Sequence, residues 1–349
     1  MTTHADGIFQ YGGMPVTGGV PPFVSRYSKT FFVDPVNGLD GNKGTSPKLA
    51  LKSLYRAHSL MTAGQNDVCY LIGAGTSAGF SILSAANAAA GDTSLTVGTL
   101  VWSKAACHLI GISAPGVGQR ASIRAPQTTY TGGSGGTFGA DAFITVSANG
   151  CYFSNLSIMN DFTTGGAGEI LVTVTGSYNV FDRVSMYGFG NSASAGGTAS
   201  RTLKVGGGGE NYFYGCQIGV DTVTRAAANY NVEFVSGSAR NRFVKCIFPV
   251  ETSDATAGIG LLTGSALSRW VLFDDCVFIS ATQQSSAVIT NAFVSTTATP
   301  GGSVLLSHCN SAGVDEWGDA NSKGVLYVDN VGGAATAGMM MHPTTSTAP

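Results

Sequence analysis

The stretch NRFVKCIFPV, at residues 241–250, has one close counterpart before it and another after it, both at the same interval. The counterparts read NYFYGCQIGV at 211–220 and VLFDDCVFIS at 271–280. In each, an aromatic residue is followed by cysteine three positions later and by Ile or Phe two positions after that. A fixed interval of this kind is typical of a repeat architecture, in which each repeat is one unit that stacks on the next.

The pattern extends over at least five units at nearly constant spacing. The aromatic residues that mark the units are Phe153, Phe181, Phe213, Phe243 and Phe273. A degenerate further copy, LSHCNS, begins at Leu306. Short runs rich in β-forming residues precede most copies, and loops rich in Gly, Ser, Thr and Asn separate them.

Units of this length, made only of strands and tight turns, predict an all-β fold: a right-handed, single-stranded parallel β-helix. Each unit would form one coil, and the coils would stack about 4.8 Å apart through main-chain hydrogen bonds. A β-sandwich or a β-propeller is the alternative. A propeller blade takes about 40 or more residues, so the shorter units favour the β-helix.

Stacking places equivalent residues of successive coils on top of one another, which predicts ladders of like side chains. Besides the five phenylalanines, we expect an inward cysteine ladder of Cys216, Cys246, Cys276 and Cys309. At a turn we expect an asparagine ladder of Asn179, Asn211 and Asn241. The alternative role for the cysteines is metal binding or redox chemistry, but no histidine recurs with them. Buried thiols are usually inert and serve as small apolar side chains.

Bulk composition narrows the class of protein. Only 11% of the 349 residues are charged and the formal net charge is −2, so we expect neither nucleic acid nor membrane as a partner. The sequence contains no run of 18 or more apolar residues, so it predicts no transmembrane helix. The first residues lack the pattern of a secretory signal, which predicts synthesis in a cytoplasm. Seven cysteines without a CxxC motif favour free thiols.

The distribution of the repeats divides the chain into three predicted segments. Residues 1–30 form an extended N-terminal arm, residues 31–331 form the β-helix with a cap helix at about 48–61, and residues 332–349 form a C-terminal tail. The arm has two interpretations, a disordered leader or a segment that becomes ordered on a larger assembly. In the second case the attachment residues would be the apolar side chains of Ile8, Phe9, Tyr11 and Met14.

The phrase VDPVNGLDGNKGTSP, at residues 33–47, resembles the opening of many pectate-lyase-like β-helix proteins, especially those of bacteriophage virions. The segments DGIFQYGG, WSKAACHLIGISAP and GGGENYFYGCQIGVDTVTR resemble a group of phage structural proteins across most of the chain. This resemblance implies a homotrimer on the phage particle surface. The implied role is a non-enzymatic capsid decoration or head-fibre protein, whose partners are the major capsid protein or other virion proteins.

A tailspike that binds or cleaves a host surface polysaccharide is the competing interpretation. Hydrolysis of a glycosidic bond needs two carboxylates at a suitable separation. The best cluster in the sequence is Asp221 with Glu233, near Arg225 and Tyr230. Two acids in neighbouring turns are more often ordinary polar groups, so the sequence favours a protein without catalytic residues. A third class, a bacterial surface adhesin, would need an export signal.

The weaker motifs in the sequence do not support a metal-binding or phosphate-binding site. Asp40, Asn42 and Gly44 resemble part of a calcium loop, but no Glu stands at the downstream bidentate position. The GGGG run at 206–209 is not followed by the helix of a phosphate-binding loop. The five histidines have no ligand spacing. We therefore predict neither a metal site nor a cofactor.

Overall fold

The computed structural model describes residues 27–73, 100–113, 121–124, 142–160, 169–190, 197–281, 287–322 and 326–328. At 10–11, 14–15 and 327–328 only the backbone is described. The attachment residues Ile8 and Phe9 and the tail at 332–349 lie outside the described residues. Tyr11 and Met14 lie in a two-stranded antiparallel pair formed by Gln10–Tyr11 and Met14–Pro15.

Three parallel sheets run along the chain, and each complete coil contributes one strand to each sheet in turn. The ten-stranded sheet consists of Thr30–Val33, Asp67–Ile72, Cys107–Ile112, Tyr152–Ser154, Val180–Asp182, Tyr212–Tyr214, Asn241–Val244, Trp270–Asp274, Ser303–Ser307 and Leu326–Val328. The seven-stranded sheet consists of Ala121–Arg124, Leu156–Asn160, Ser185–Phe189, Gln217–Ile218, Ile247–Val250, Val277–Ser280 and Asn310–Ala312. The eight-stranded sheet consists of Leu100–Trp102, Ala142–Val146, Ile170–Val174, Arg201–Val205, Tyr230–Phe234, Gly258–Leu262, Ile289–Ser295 and Val314–Gly318.

The pairing register confirms the parallel β-helix. From Ala142 onward, each described strand pairs in parallel with the equivalent strand of the next coil and not with the strand that follows it in sequence. The phenylalanines that mark the repeat are direct partners, since Phe213 pairs with Phe181 on one side and Phe243 on the other. Sequence spacing therefore maps directly onto vertical stacking.

A single left-handed residue turns the corner between the ten-stranded and the seven-stranded sheet. In each coil this residue lies two positions after the marker phenylalanine, or after Leu306 in the last of these coils. It lies one position before the ladder cysteine, or before the apolar residue that takes the place of the cysteine in the earlier coils. Its φ lies between 52° and 58° in all six coils, at Asn155, Arg183, Gly215, Lys245, Asp275 and His308. The corner explains the three-residue step in the repeat, because it brings two side chains three positions apart into the same interior.

The marker phenylalanines form one continuous stack through the core. Adjacent rings from Phe153 to Phe273 have centroids 4.4 to 4.9 Å apart and planes within 10° of parallel. Phe213 and Phe243 are fully buried. Spacing of this kind is imposed by the strand separation and lies in the range where aromatic rings attract one another.

The cysteine ladder runs beside this stack. In each coil the thiol faces the carbonyl oxygen of the phenylalanine one coil earlier, with the Sγ of Cys216, Cys246, Cys276 and Cys309 at 3.3 to 3.4 Å. Leu156 and Val184 hold the equivalent buried positions in earlier coils. All seven cysteines of the chain are buried and free.

Burial raises the pKa of the Cys69 and Cys246 thiols well above their ordinary value. A hydrogen bond with Cys276, together with burial, raises the pKa of Cys309, whereas hydrogen bonds with its two ladder neighbours lower the pKa of Cys276. Cys276 is fully buried, and alkylation needs a thiolate that the reagent can reach, so we expect less than one cysteine per chain to be alkylated by iodoacetamide at pH 8 in the native protein. All seven should react in 6 M guanidinium chloride. Mass spectrometry of the alkylated chain measures both counts. Rapid native labelling within the ladder would contradict the buried arrangement.

The asparagine ladder fixes the turn that enters the ten-stranded sheet. The Asn179 Oδ1 accepts from the backbone N–H of Cys151, and the Asn211 Oδ1 accepts from that of Asn179 at 3.0 Å. The Asn241 Oδ1 in turn accepts from the Asn211 backbone. The ladder ends there, because the next partner is Val271 and the Asn241 Nδ2 has no hydrogen-bond partner within the described chain.

The helix predicted at 48–61 is shorter than expected, which corrects the prediction. A 3₁₀ turn at Pro47–Leu49 is separated from an α-helix, α1, at Leu54–Leu60. Leu51 lies between them in extended backbone, because it pairs with Val33 and donates to the Phe32 carbonyl. Leu49 is consequently exposed. A capping role for α1 over the end of the core stays a prediction.

Helix α1 packs against the first two strands of the ten-stranded sheet and buries Leu54 and Ala57. Ser53 caps its N-terminus by accepting from the Arg56 N–H. At the other end, the Lys104 ammonium donates to the carbonyls of His58, Ser59 and Met61 at 2.6 to 2.8 Å. A cation at this position satisfies the last carbonyls of the helix.

Candidate functional site

The outer face of the eight-stranded sheet carries a polar cluster near its centre. Lys204 and Glu233 are direct partners on adjacent strands. Their sequence neighbours Leu203, Val205, Val232 and Phe234 all lie in the apolar core. Side chains alternate along a strand, so Lys204 and Glu233 point away from the core.

Glu233, one of the two acids that the sequence singled out, is held by an ion pair. Its Oε2 accepts from the Arg201 Nε at 3.1 Å, and its Oε1 accepts from the Thr263 hydroxyl at 2.8 Å. Both charged residues are largely buried, at 6% and 9% exposure. The Arg201 guanidinium also donates to the carbonyls of Thr198 and Ser200, so the pair is fixed at both ends.

Arg201 also lies over the ring of Tyr230, with its Cζ 5.3 Å from the ring centroid. Burial lowers the pKa of Arg201 while the charge of Glu233 opposes that effect. Burial raises the pKa of Tyr230, and the nearby Arg201 charge lowers it. Both carboxylate oxygens of Glu233 thus accept hydrogen bonds from neighbouring coils.

Asp221, the second acid that the sequence singled out, does not join this cluster. It is exposed on the turn between the strands Gln217–Ile218 and Tyr230–Phe234. No hydrogen bond or ion pair within the described chain connects it to Glu233.

Arg225 lies beneath the same region with the amides Asn229 and Asn231 as its side-chain partners. Its Nη1 donates to the Asn229 Oδ1 at 3.2 Å, and its Nη2 donates to the Asn231 Oδ1. Burial lowers the pKa of Arg225 to about 9, with a further contribution from the charge of Arg201. The sequence placed Arg225 near Glu233 but gave no sign that it would be buried beside two amides.

Arg201 and Thr263 are the partners of Glu233 that sequence reasoning missed. They lie one coil before it and one coil after it. The repeat interval was thus the signal that could have found them.

Other carboxylates of the described chain also have structural partners. The Tyr152 hydroxyl donates to the Asp182 Oδ2 at 2.6 Å, and the Arg183 guanidinium donates to both Asp182 oxygens. The Asn160 amide donates to Glu169 at 2.6 Å, and the Thr224 hydroxyl donates to Glu251. Asp182 and Asp274 occupy equivalent positions three coils apart, as the register requires.

Of the three tryptophan side chains, one is partly exposed. Trp102 and Trp317 are buried, whereas Trp270 is half-buried on the outer face of the ten-stranded sheet. The Arg242 guanidinium lies over the Trp270 ring, with its Cζ 5.3 Å from the centroid. A stacking platform for a sugar would therefore have to displace this cation from the ring.

The calcium-like segment folds as a turn. The Asp40 Oδ1 accepts from the backbone N–H groups of Lys52 and Ser53 at 2.9 Å, and the Asn42 amide donates to the Ala50 carbonyl. Among the described residues, no group of three or more His, Cys, Asp and Glu side chains is arranged to hold a metal ion. No helix in the same part of the chain is long and apolar enough to cross a membrane.

His108 is a buried structural residue. Its Nδ1 accepts from the Tyr152 backbone N–H at 3.1 Å, and its Nε2 lies 3.4 Å from the Asn66 Oδ1. Burial lowers the pKa of His108 to about 4. The folded chain therefore keeps this ring neutral at pH values where an unfolded chain, with an ordinary histidine pKa of about 6.5, protonates it.

Protonation in that window favours the unfolded state, so stability should fall as the pH decreases from about 6.5 to 4. The expected contribution of His108 is about 3 kcal/mol at most. Urea unfolding at several pH values measures it. His108→Asn keeps an acceptor for the Tyr152 N–H and should reduce the pH dependence without abolishing it, because burial also lowers the pKa of His58 to about 4. Equal slopes for wild type and His108→Asn would contradict the assignment.

No family model and no curated protein matches the sequence. Solved structures match the fold. Pectate lyase Pel9A superposes with a TM-score of 0.56 at 15% identity, over 87% of this chain and 68% of that one. A pectin methylesterase solved with a hexasaccharide gives 0.53 at 17% identity, over 92% and 96%. Pectin methylesterase PemA from Erwinia chrysanthemi gives 0.50 at 16%, over 90% and 93%.

The fold of this chain thus resembles the parallel β-helix of pectate-lyase-like proteins. The neighbours are enzymes that act on polysaccharides. At identities of 15 to 17% the likeness concerns the fold, and a fold hosts many functions.

Proposed function

We propose that the chain is a non-enzymatic structural protein of a bacteriophage virion, a trimeric capsid decoration or head-fibre protein attached to the shell by residues 1–30. The observation that carries the proposal is the state of Glu233. The acid best placed for catalysis has both carboxylate oxygens bound within the sheet, by Arg201 and Thr263. These contacts support a structural role for the cluster.

The construction of the β-helix supports a mechanical role. The phenylalanine stack runs through consecutive coils from Phe153 to Phe273, and the cysteine ladder runs from Cys216 to Cys309. Most turns between the described strands of the eight-stranded and ten-stranded sheets are short, and main-chain hydrogen bonds connect each coil to the next. Such a body is rigid, because each coil is held on both sides by its neighbours.

The arm provides the means of attachment in this proposal. Several copies of a weak apolar contact, joined through a trimer, would bind a shell tightly through avidity. We expect Phe9→Asp and Met14→Asp to lower the amount of protein that binds to phage shells lacking it by at least ten-fold, as measured by co-sedimentation. Thr17→Asp, at a polar position of the same arm, is the matched control. Equal binding by the arm variants and the control would contradict attachment through these side chains.

A polysaccharide-binding or polysaccharide-cleaving tailspike is the second candidate. It is favoured by the position of the Arg201, Tyr230 and Glu233 cluster on an outer sheet face, together with a fold shared with polysaccharide-acting enzymes. In that case Glu233→Gln and Asp221→Asn should each abolish release of reducing ends or unsaturated products from host capsular polysaccharide. Absence of such release by the wild-type protein would leave the structural role as the better supported one.

A further inference from the structure

The segment that follows the first strand of the ten-stranded sheet folds over the free edge of that strand. Leu51 pairs in parallel with Val33, whose strand has its other neighbour in Asp67–Ile72. Backbone hydrogen bonds connect the turn at 34–44 to the same extended stretch. Residues 34–56, from this turn into helix α1, therefore make up the N-terminal end of the described β-helix, which we name the end surface.

The end surface exposes large apolar side chains. Eleven such side chains are exposed in the described part of the chain, and four of them lie in this segment, at Val36, Leu39, Leu49 and Tyr55. Leu39 is 63% exposed and Tyr55 is 59% exposed. Single exposed apolar residues are ordinary on a protein surface, but a concentration of them indicates contact with a partner.

The end surface is also basic, although the chain as a whole has a formal net charge of −2. Its basic residues are Lys43, Lys48, Lys52 and Arg56, and its acidic residues are Asp34 and Asp40. Both acids bind backbone N–H groups of the segment itself, at 36–37 and 52–53. None of the four cations makes an ion pair within the described chain, and three of them are exposed. The end surface therefore presents a net positive charge to a partner.

We propose that the end surface docks onto an acidic patch of the shell protein, next to the contact made by the N-terminal arm. This inference rests on the proposed function and adds a second contact with its chemistry. The arm joins the β-helix at the strand Thr30–Val33, which is the strand that the end surface covers. Exposed apolar side chains together with cations fit a protein partner that carries acidic residues, whereas a nucleic acid backbone offers phosphates and no apolar counterpart. Two linked contacts on one shell bind more tightly than either contact alone.

The test is co-sedimentation of the full chain with phage shells that lack it, in 50 and 300 mM NaCl. We expect wild-type binding to weaken at the higher salt concentration, because salt screens an electrostatic contact. The double variant Lys43→Glu, Lys48→Glu should lower binding in 50 mM NaCl by about ten-fold or more. Lys245→Glu, at an exposed lysine on the corner of a later coil, should leave binding unchanged. Leu39→Ser should weaken binding at both salt concentrations, and Tyr178→Ser, at an exposed aromatic residue of a later coil, is its control.

The possible outcomes distinguish this inference from the proposed function. Equal binding by the wild-type protein, the double lysine variant and Leu39→Ser would overturn the docking surface and leave the arm as the attachment. Failure of the wild-type protein to bind the shells in 50 mM NaCl would overturn the proposed function and this inference together. Retention on double-stranded DNA that the double variant loses, with shell binding unchanged, would assign the end surface to nucleic acid and overturn the proposal.

Discussion

Replacing Phe243 by alanine is expected to lower the free energy of unfolding by about 3–5 kcal/mol, the range for a large aromatic residue removed from a core. The ring is fully buried between Phe213 and Phe273, at centroid distances of 4.4 and 4.8 Å. It also contacts Phe234 and Phe248 from the other two sheets. The cavity would therefore open at the point where all three sheets meet.

Urea unfolding followed by fluorescence measures this loss. Phe243→Leu is the matched control, because it keeps most of the buried volume and should cost less than half as much. Tyr178→Ala, at an exposed aromatic residue, should change stability by about 0.5 kcal/mol or less. A loss below about 1 kcal/mol for Phe243→Ala would mean that the stack does not hold the coils together.

Replacing Glu233 by alanine is expected to cost about 3–5 kcal/mol, because the substitution leaves the Arg201 charge buried without its partner. Both side chains are shielded from solvent, at 7% and 11% exposure. The exposed pair of Arg240 with Glu210 is the matched control. Glu210→Ala should cost less than about 1 kcal/mol, as is usual for surface ion pairs.

A double variant that removes both charges of the ion pair distinguishes a structural role of the pair from a catalytic role. The double variant Arg201→Met, Glu233→Leu should recover much of the stability that Glu233→Ala loses, because no uncompensated charge remains. Urea unfolding of the single and double variants measures the coupling. If Glu233→Ala is as stable as the wild-type protein, the ion pair contributes nothing to the fold and the case for a structural role of Glu233 fails.

The fold could be predicted from the sequence because the repeat constrains it at many positions. Phe213, Phe243 and Phe273 recur at one interval, and stacking in register is the arrangement that buries all of them with their backbones paired. The length of α1 could not be predicted in the same way. Its apolar spacing extends to Leu49, and the strand-like pairing of Leu51 with Val33 that interrupts it depends on a contact between distant segments.

The polar cluster was only partly predictable for a related reason. The sequence identified Glu233 as notable but paired it with Asp221, which is close in sequence and exposed in the structure. The side chains that hydrogen-bond to Glu233 come from the coils on either side, at Arg201 and Thr263. In a β-helix, the contacts of a charged side chain follow the coil interval more closely than sequence proximity.

The number of copies of this protein per particle tests the central proposal most directly. Quantitative mass spectrometry of purified phage particles, in which the proposed role places this protein, gives that number relative to the major capsid protein. A decoration or head-fibre role predicts trimers in a fixed ratio to the capsid lattice, tens or more per particle. Absence from the particles would contradict a virion role, and only a few trimers per particle would contradict capsid decoration in favour of a tail component.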